Sequence, residues 1–131
     1  MKLFVFAIII AIGTASPTKD GAVFSFVGKT MFMFADVKEG EQLSHTFEFT
    51  NTGNQPLIIS EYKVACSCTK AEFLKAPILP GQKSEIIITF DTKGKYGYQD
   101  RIIKIYSNAN KSPIKLRFKV FVYTDEDVLK N

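Results

Sequence analysis

Residues 43–50 alternate strictly: Leu43, His45, Phe47 and Phe49 fall on one face of a period-two segment, and Ser44, Thr46, Glu48 and Thr50 on the other. This is the pattern of a strand with one buried side. The same period recurs at residues 84–90 and 101–106. It is cleanest at residues 114–120, where Leu116, Phe118 and Val120 oppose Lys115, Arg117 and Lys119. Residues 56–64 form another apolar stretch through Leu57, Ile58 and Ile59, and residues 22–27 and 31–37 read as two short strands near the front. Turn chemistry separates these runs: Lys38-Glu39-Gly40-Glu41, Asn51-Thr52-Gly53-Asn54, Pro80-Gly81, and the loops at 93–97 and 108–113.

About seven strands in roughly 100 residues is the count of an immunoglobulin-like sandwich, so the pattern predicts an all-β fold of antiparallel strands. The expected inward set is Phe34, Leu43, Phe47, Phe49, Ile59, Ile86, Ile88, Phe90, Ile103, Ile105, Leu116, Phe118 and Val120. At about 1.5–3 kcal/mol per large buried side chain, such a set offsets chain entropy without staples. The antibody signature of Cys, Trp and Cys across a core is absent, because the chain has no Trp and its two cysteines are separated by one residue.

The first fifteen residues do not belong to this pattern. Met1-Lys2 gives a short positive start, residues 3–12 are apolar without interruption, and Gly13-Thr14-Ala15-Ser16 supplies small residues. That is a secretory signal, too short to span a bilayer comfortably, with cleavage expected after Ala15. No cysteine follows it, which excludes a lipid anchor on an N-terminal Cys. The expected organisation is a signal peptide at 1–15, a segment at 16–30 leading into the first strand, an Ig-like domain at 31–123 and a frayed tail at 124–131. The 46% apolar content is partly this leader, and the remainder suits one soluble domain of the 131 residues. A net charge of +4 is too mild to announce a nucleic-acid protein. The Lys115, Arg117 and Lys119 stripe reads as a solvated or aggregation-resistant strand face. The expected location is the periplasm or outside the cell, where paired thiols tend to be oxidised.

Cys66 and Cys68 carry the only distinctive chemistry. On an extended strand their side chains share a face, and the Cα atoms lie about 6.5–7 Å apart. That is the upper edge of disulfide geometry, and a bend would relieve it. Three readings stand: a small, easily reduced local disulfide with a redox role; half of a soft-metal site such as Cu(I), with His45, Met31 and Met33 as the other candidate donors; and a pair that simply packs or bridges near a strand end. His45 itself reads as a histidine at the core margin. No Ser-His-Asp order, HExxH or paired-carboxylate signature is present. No catalytic residue and no cofactor is expected.

The span 37–120 resembles a bacterial family known as domain of unknown function 1573. The matching pieces are Lys38-Glu39-Gly40, the run from Ser44 to Asn54 with Pro56-Leu57-Ile58-Ile59, Cys66-Ser67-Cys68-Thr69, Pro77-Ile78 with Pro80-Gly81, Phe90-Asp91-Thr92-Lys93-Gly94, and Ser107-Asn108. Two places depart from the family pattern. Ser67 stands where a Gly is usual, and Phe32-Met33-Phe34-Ala35 stands for a His-Asp-Phe-Gly piece. The resemblance implies a sandwich of the ASH/MSP/Hydin type in an exported or lipid-anchored envelope protein, with the cysteine pair a family feature and no settled activity. The expected function is a non-enzymatic envelope interaction module. It would bind another envelope protein through a sheet edge or end loops, with Cys66 and Cys68 bridged. The alternative is a thiol–disulfide or soft-metal protein centred on that pair, with His45 a possible neighbour.

Overall fold

The computed structural model describes Gly13 and residues 19–130. The expected leader therefore lies outside the described residues except for Gly13. Nine strands follow: β1 (Phe24–Phe26), β2 (Met31–Met33), β3 (Val37–Lys38), β4 (Gln42–Asn51), β5 (Ile59–Lys63), β6 (Thr69–Phe73), β7 (Lys83–Asp91), β8 (Gly97–Ser107) and β9 (Ile114–Tyr123), then a short helix α1 (Asp125–Leu129). They form a four-stranded sheet in the order β1-β4-β7-β6 and a five-stranded sheet containing β2-β9-β8-β5, with β3 also on β9. This is an Ig-like sandwich.

The long strands follow the alternation. β9 buries Leu116, Phe118, Val120 and Val122 while Lys115, Arg117 and Lys119 point away from the core. From the expected inward set, eleven residues are buried; Phe34 and Leu43 are partly buried against the core. The buried core of the described residues runs from Ala22 to Val122.

Several details differ from expectation. The 31–37 strand is two short strands, broken at Phe34-Ala35-Asp36, and both β2 and β3 run parallel to β9 rather than antiparallel. The 22–27 and 56–64 stretches contract to β1 and β5, with Leu57 instead bridging Ile78. β6 is an additional strand. The expected frayed tail contains α1, whose capping box joins Thr124 and Asp127.

Asn51 ends β4 as the polar centre of one end of the sandwich. Its side chain is fully buried. The amide nitrogen donates to the carbonyls of Gln55 at 2.8 Å and Ile78 at 2.9 Å. Its oxygen accepts from the Val23 and Gly53 amides at 3.2 and 3.1 Å. Gly53 is required here because a Cβ would lie 1.9 Å from the Gly21 carbonyl oxygen.

Candidate functional site

The cysteines do not lie on an extended strand. They occupy the turn that carries the chain from β5, an edge of one sheet, to β6, an edge of the other. Crossing between sheets demands a sharp reversal, which brings the Cα atoms to 5.2 Å and allows the Cys66–Cys68 disulfide. The turn is tied down by its backbone. Thr69 N donates to Cys66 O at 3.2 Å, and Asp91 N at the end of β7 donates to Cys68 O at 2.9 Å. Cys68 N also approaches Cys66 Sγ at 3.1 Å.

Both cysteines are partly exposed. On one side lies an open depression of about 410 Å³, lined by the disulfide turn, Gln42, Asp91, Lys70, Lys93 and Lys95. A smaller one of about 220 Å³ lies beside Cys66 and includes Thr69 and Arg101. The Arg101 guanidinium sits 5.5 Å from the centre of the Phe90 ring and donates to Gln99 Oε1. Its Nε is buried without a partner. The sequence signalled none of these cations as neighbours of the cysteines. Lys70 lies on the unforeseen β6, and the 93–97 loop comes close only because β6 pairs with β7.

The third feature is the margin itself. β5 and β6 are the edge strands of their sheets on the same side of the sandwich, and the disulfide turn joins them. Between them runs an open groove of about 420 Å³ lined by Ser60, Glu61, Tyr62, Ala71, Glu72, Phe73 and Lys75. Tyr62 and Phe73 meet edge to face across it, with ring centroids 6.4 Å apart. A register shift at Ser60 bends β5. Ile58 and Leu74, just outside the strand ends opposite the turn, are 42% and 47% exposed.

His45 is not brought to the cysteines. It is two strands away, across β7, and its ring stacks on Phe32 and meets Phe34 and Phe47 edge-on. Burial lowers its pKa. Met31 and Met33 lie beside Arg117 and Lys119 of β9. The candidate soft donors are therefore dispersed, and among the described residues there is no group of three or more His, Cys, Asp or Glu placed to hold a metal ion. Nor is any helix among those residues long and apolar enough to cross a membrane.

The family profile described as protein of unknown function (DUF1573) matches residues 25–122. The chain belongs to the DUF1573 family. No curated protein matches the chain. Solved structures share its fold. One is a Porphyromonas gingivalis W83 protein of unknown function, with TM-score 0.67 and 19% identity over 82% of this chain and 50% of that one. This chain thus spans half the length of that protein. Another is the human CEP192 ASH/PapD-like domain 7, with TM-score 0.60 and 10% identity over 94% of this chain and 99% of that domain. The Vibrio cholerae VesB protease matches with TM-score 0.61 and 11% identity over 75% of this chain but only 31% of its own. At these identities the likeness is one of fold, that of an Ig-like sandwich.

Proposed function

We propose that this DUF1573 chain is a non-enzymatic interaction module of the bacterial cell envelope that holds a partner protein along the β5–β6 margin. The observation that carries the reading is the pair of strand edges, unpaired among the described residues, that the disulfide turn joins, with an aromatic-floored groove between them. An edge strand offers unpaired backbone donors and acceptors to an added strand, and side-chain pockets supply selectivity. The Cys66–Cys68 bridge serves this by fixing the turn, so that both edges are ordered before binding and less entropy is lost on association. Export by residues 1–15 places the module where that bridge persists.

The test is photo-cross-linking in living cells from probes at Ser60 and Glu72, with Ser44 and Thr46 on the outer face of β4 as controls. One reproducible partner captured only from the margin supports the reading. Equal capture from the control face, or none from the margin, contradicts it.

A second reading is favoured by one observation: Lys70, Lys93 and Lys95 line the depression that the disulfide turn borders. Ammonium groups stabilise the thiolates formed on two-electron reduction, which makes such a pair more reactive. A thiol–disulfide protein would show reversible reduction by a cellular dithiol donor. A bridge that resists that reductant in the folded protein rules this reading out.

A further inference from the structure

The outer face of the five-stranded sheet carries a row of charge that the fold does not neutralise. Lys63 on β5 stands opposite Lys104 on β8, and Lys104 stands opposite Lys115 on β9. All three are exposed. Directly opposed residues on a sheet sit about 4.5–5.5 Å apart at Cβ, where like charges destabilise the pairing. Among the described residues neither Lys104 nor Lys115 has an ion-pair partner, and Lys63 has only Glu61 at 4.0 Å. The Lys63 ammonium also lies 5.0 Å from the centre of the Tyr106 ring, which leaves Lys104 and Lys115 facing one another without a counter-charge, and an anion over the row would relieve the repulsion.

The rest of this face continues the pattern. The next outward positions are Ile102 and Arg117, then Asp100 and Lys119, then Tyr98 and Phe121. Arg117 Nε holds Asp100 at 2.7 Å, so the one carboxylate in these rows is already engaged. Apolar groups lie between and beside the cations. Ile102 is 45%, Met33 67% and Tyr98 87% exposed. The outer face of the four-stranded sheet is close to balanced, with Glu48, Glu72, Glu85 and Asp91 against Lys70 and Lys83, and with Lys93 and Lys95 beside Asp91. The unbalanced positive charge therefore lies on the five-stranded sheet.

We propose that the Lys63–Lys104–Lys115 face is a docking surface for an anionic phospholipid bilayer. A broad sheet face meets a plane of headgroups over its whole area. Lysine ammoniums reach the phosphates while their stems, Met33 and Tyr98 enter the interfacial layer. The charge-balanced face on the other side turns outward. An acidic polypeptide would satisfy the lysines but gives no role to the exposed apolar groups spread among them. This inference is independent of the partner reading, because it uses the outer sheet face rather than the β5–β6 groove.

The experiment is co-sedimentation of the chain from Ser16 onward, which retains the whole described core, with vesicles of equal parts phosphatidylglycerol and phosphatidylcholine, and with pure phosphatidylcholine vesicles. Binding to the anionic vesicles alone, weakened by high salt, is expected. The Lys63→Ser/Lys104→Ser/Lys115→Ser variant should lose about a hundredfold in affinity while keeping its circular dichroism. Met33→Ser/Tyr98→Ser should weaken binding without altering its salt dependence. Equal binding to neutral vesicles, no binding to either, or an undiminished triple variant overturns the proposal. So does soluble polyglutamate that binds the face as tightly as the anionic vesicles, which would make its ligand an acidic polypeptide.

Discussion

His45 lies flat against Phe32, with ring centroids 3.6 Å apart and planes 13° from parallel. The contact joins β4 of one sheet to β2 of the other and places an ionisable ring in an aromatic cluster. Desolvation lowers the His45 pKa below 6.5. The unfolded chain therefore takes up a proton at higher pH than the folded one. Stability is complete above about pH 6.5 and declines as pH falls through that value towards the lower folded pKa. Urea unfolding at about pH 7.5 and about pH 5 should show this loss, and His45→Phe should remove part of it. An unchanged pH dependence in the variant would mean that another group is responsible.

Asn51→Leu should be severely destabilising. The substitution preserves size but abandons the Gln55 carbonyl and the Val23 and Gly53 amides, and leaves the Ile78 carbonyl only its bond from the Leu57 amide. Unsatisfied buried groups of this kind cost about 1–3 kcal/mol, so a loss near the upper end is expected in chemical denaturation. A variant within experimental error of the wild type would show that the loops at 52–55 and 78–81 find other partners.

Replacing both cysteines by serine should cost little global stability. The loop closed by Cys66 and Cys68 spans only two residues of separation, and chain-entropy arguments assign so short a loop roughly 1.5 kcal/mol. The melting temperature of Cys66→Ser/Cys68→Ser should shift by only a few degrees. The amide protons of residues 64–69 should exchange faster, because the turn is released while the core is not. Global unfolding of the variant would assign the bridge to the core instead.

Relieving the lysine row should stabilise the fold. Lys104→Thr removes the central charge from between Lys63 and Lys115 and adds a residue suited to strands. A gain of about 0.5 kcal/mol at low salt is expected, shrinking as salt screens the repulsion. A loss of stability would show that the Lys104 stem contributes more by packing than its charge costs.

What was legible in the sequence follows from where hydrophobic contrast is strong. β4, β7, β8 and β9 each put large apolar residues on one face, so Phe47, Ile88, Ile103 and Phe118 announced themselves. β6 did not. Its inward residues are Thr69, Ala71 and Phe73, mostly small or polar, on an edge strand. Missing β6 hid the sheet crossing, and with it the turn that sets the cysteine geometry. The separation of His45 from the cysteines was equally invisible, because a strand pattern gives the face of a residue and not its neighbours across β7. The break between β2 and β3 at Phe34-Ala35-Asp36 left a continuous-looking stretch in the sequence. The lysine row depends on two cross-strand registers, which no single strand reveals.

The most direct measurement of the central claim is the in-cell cross-linking yield from a probe at Glu72, compared between the wild type and Cys66→Ser/Cys68→Ser at equal protein level. If the bridged turn orders the β5–β6 margin for a partner, the wild type yields one defined adduct and the cysteine variant loses most of it while remaining folded. An adduct of equal yield in both would contradict the claim that the disulfide organises the binding edge, and no adduct in either would contradict the margin as a binding site.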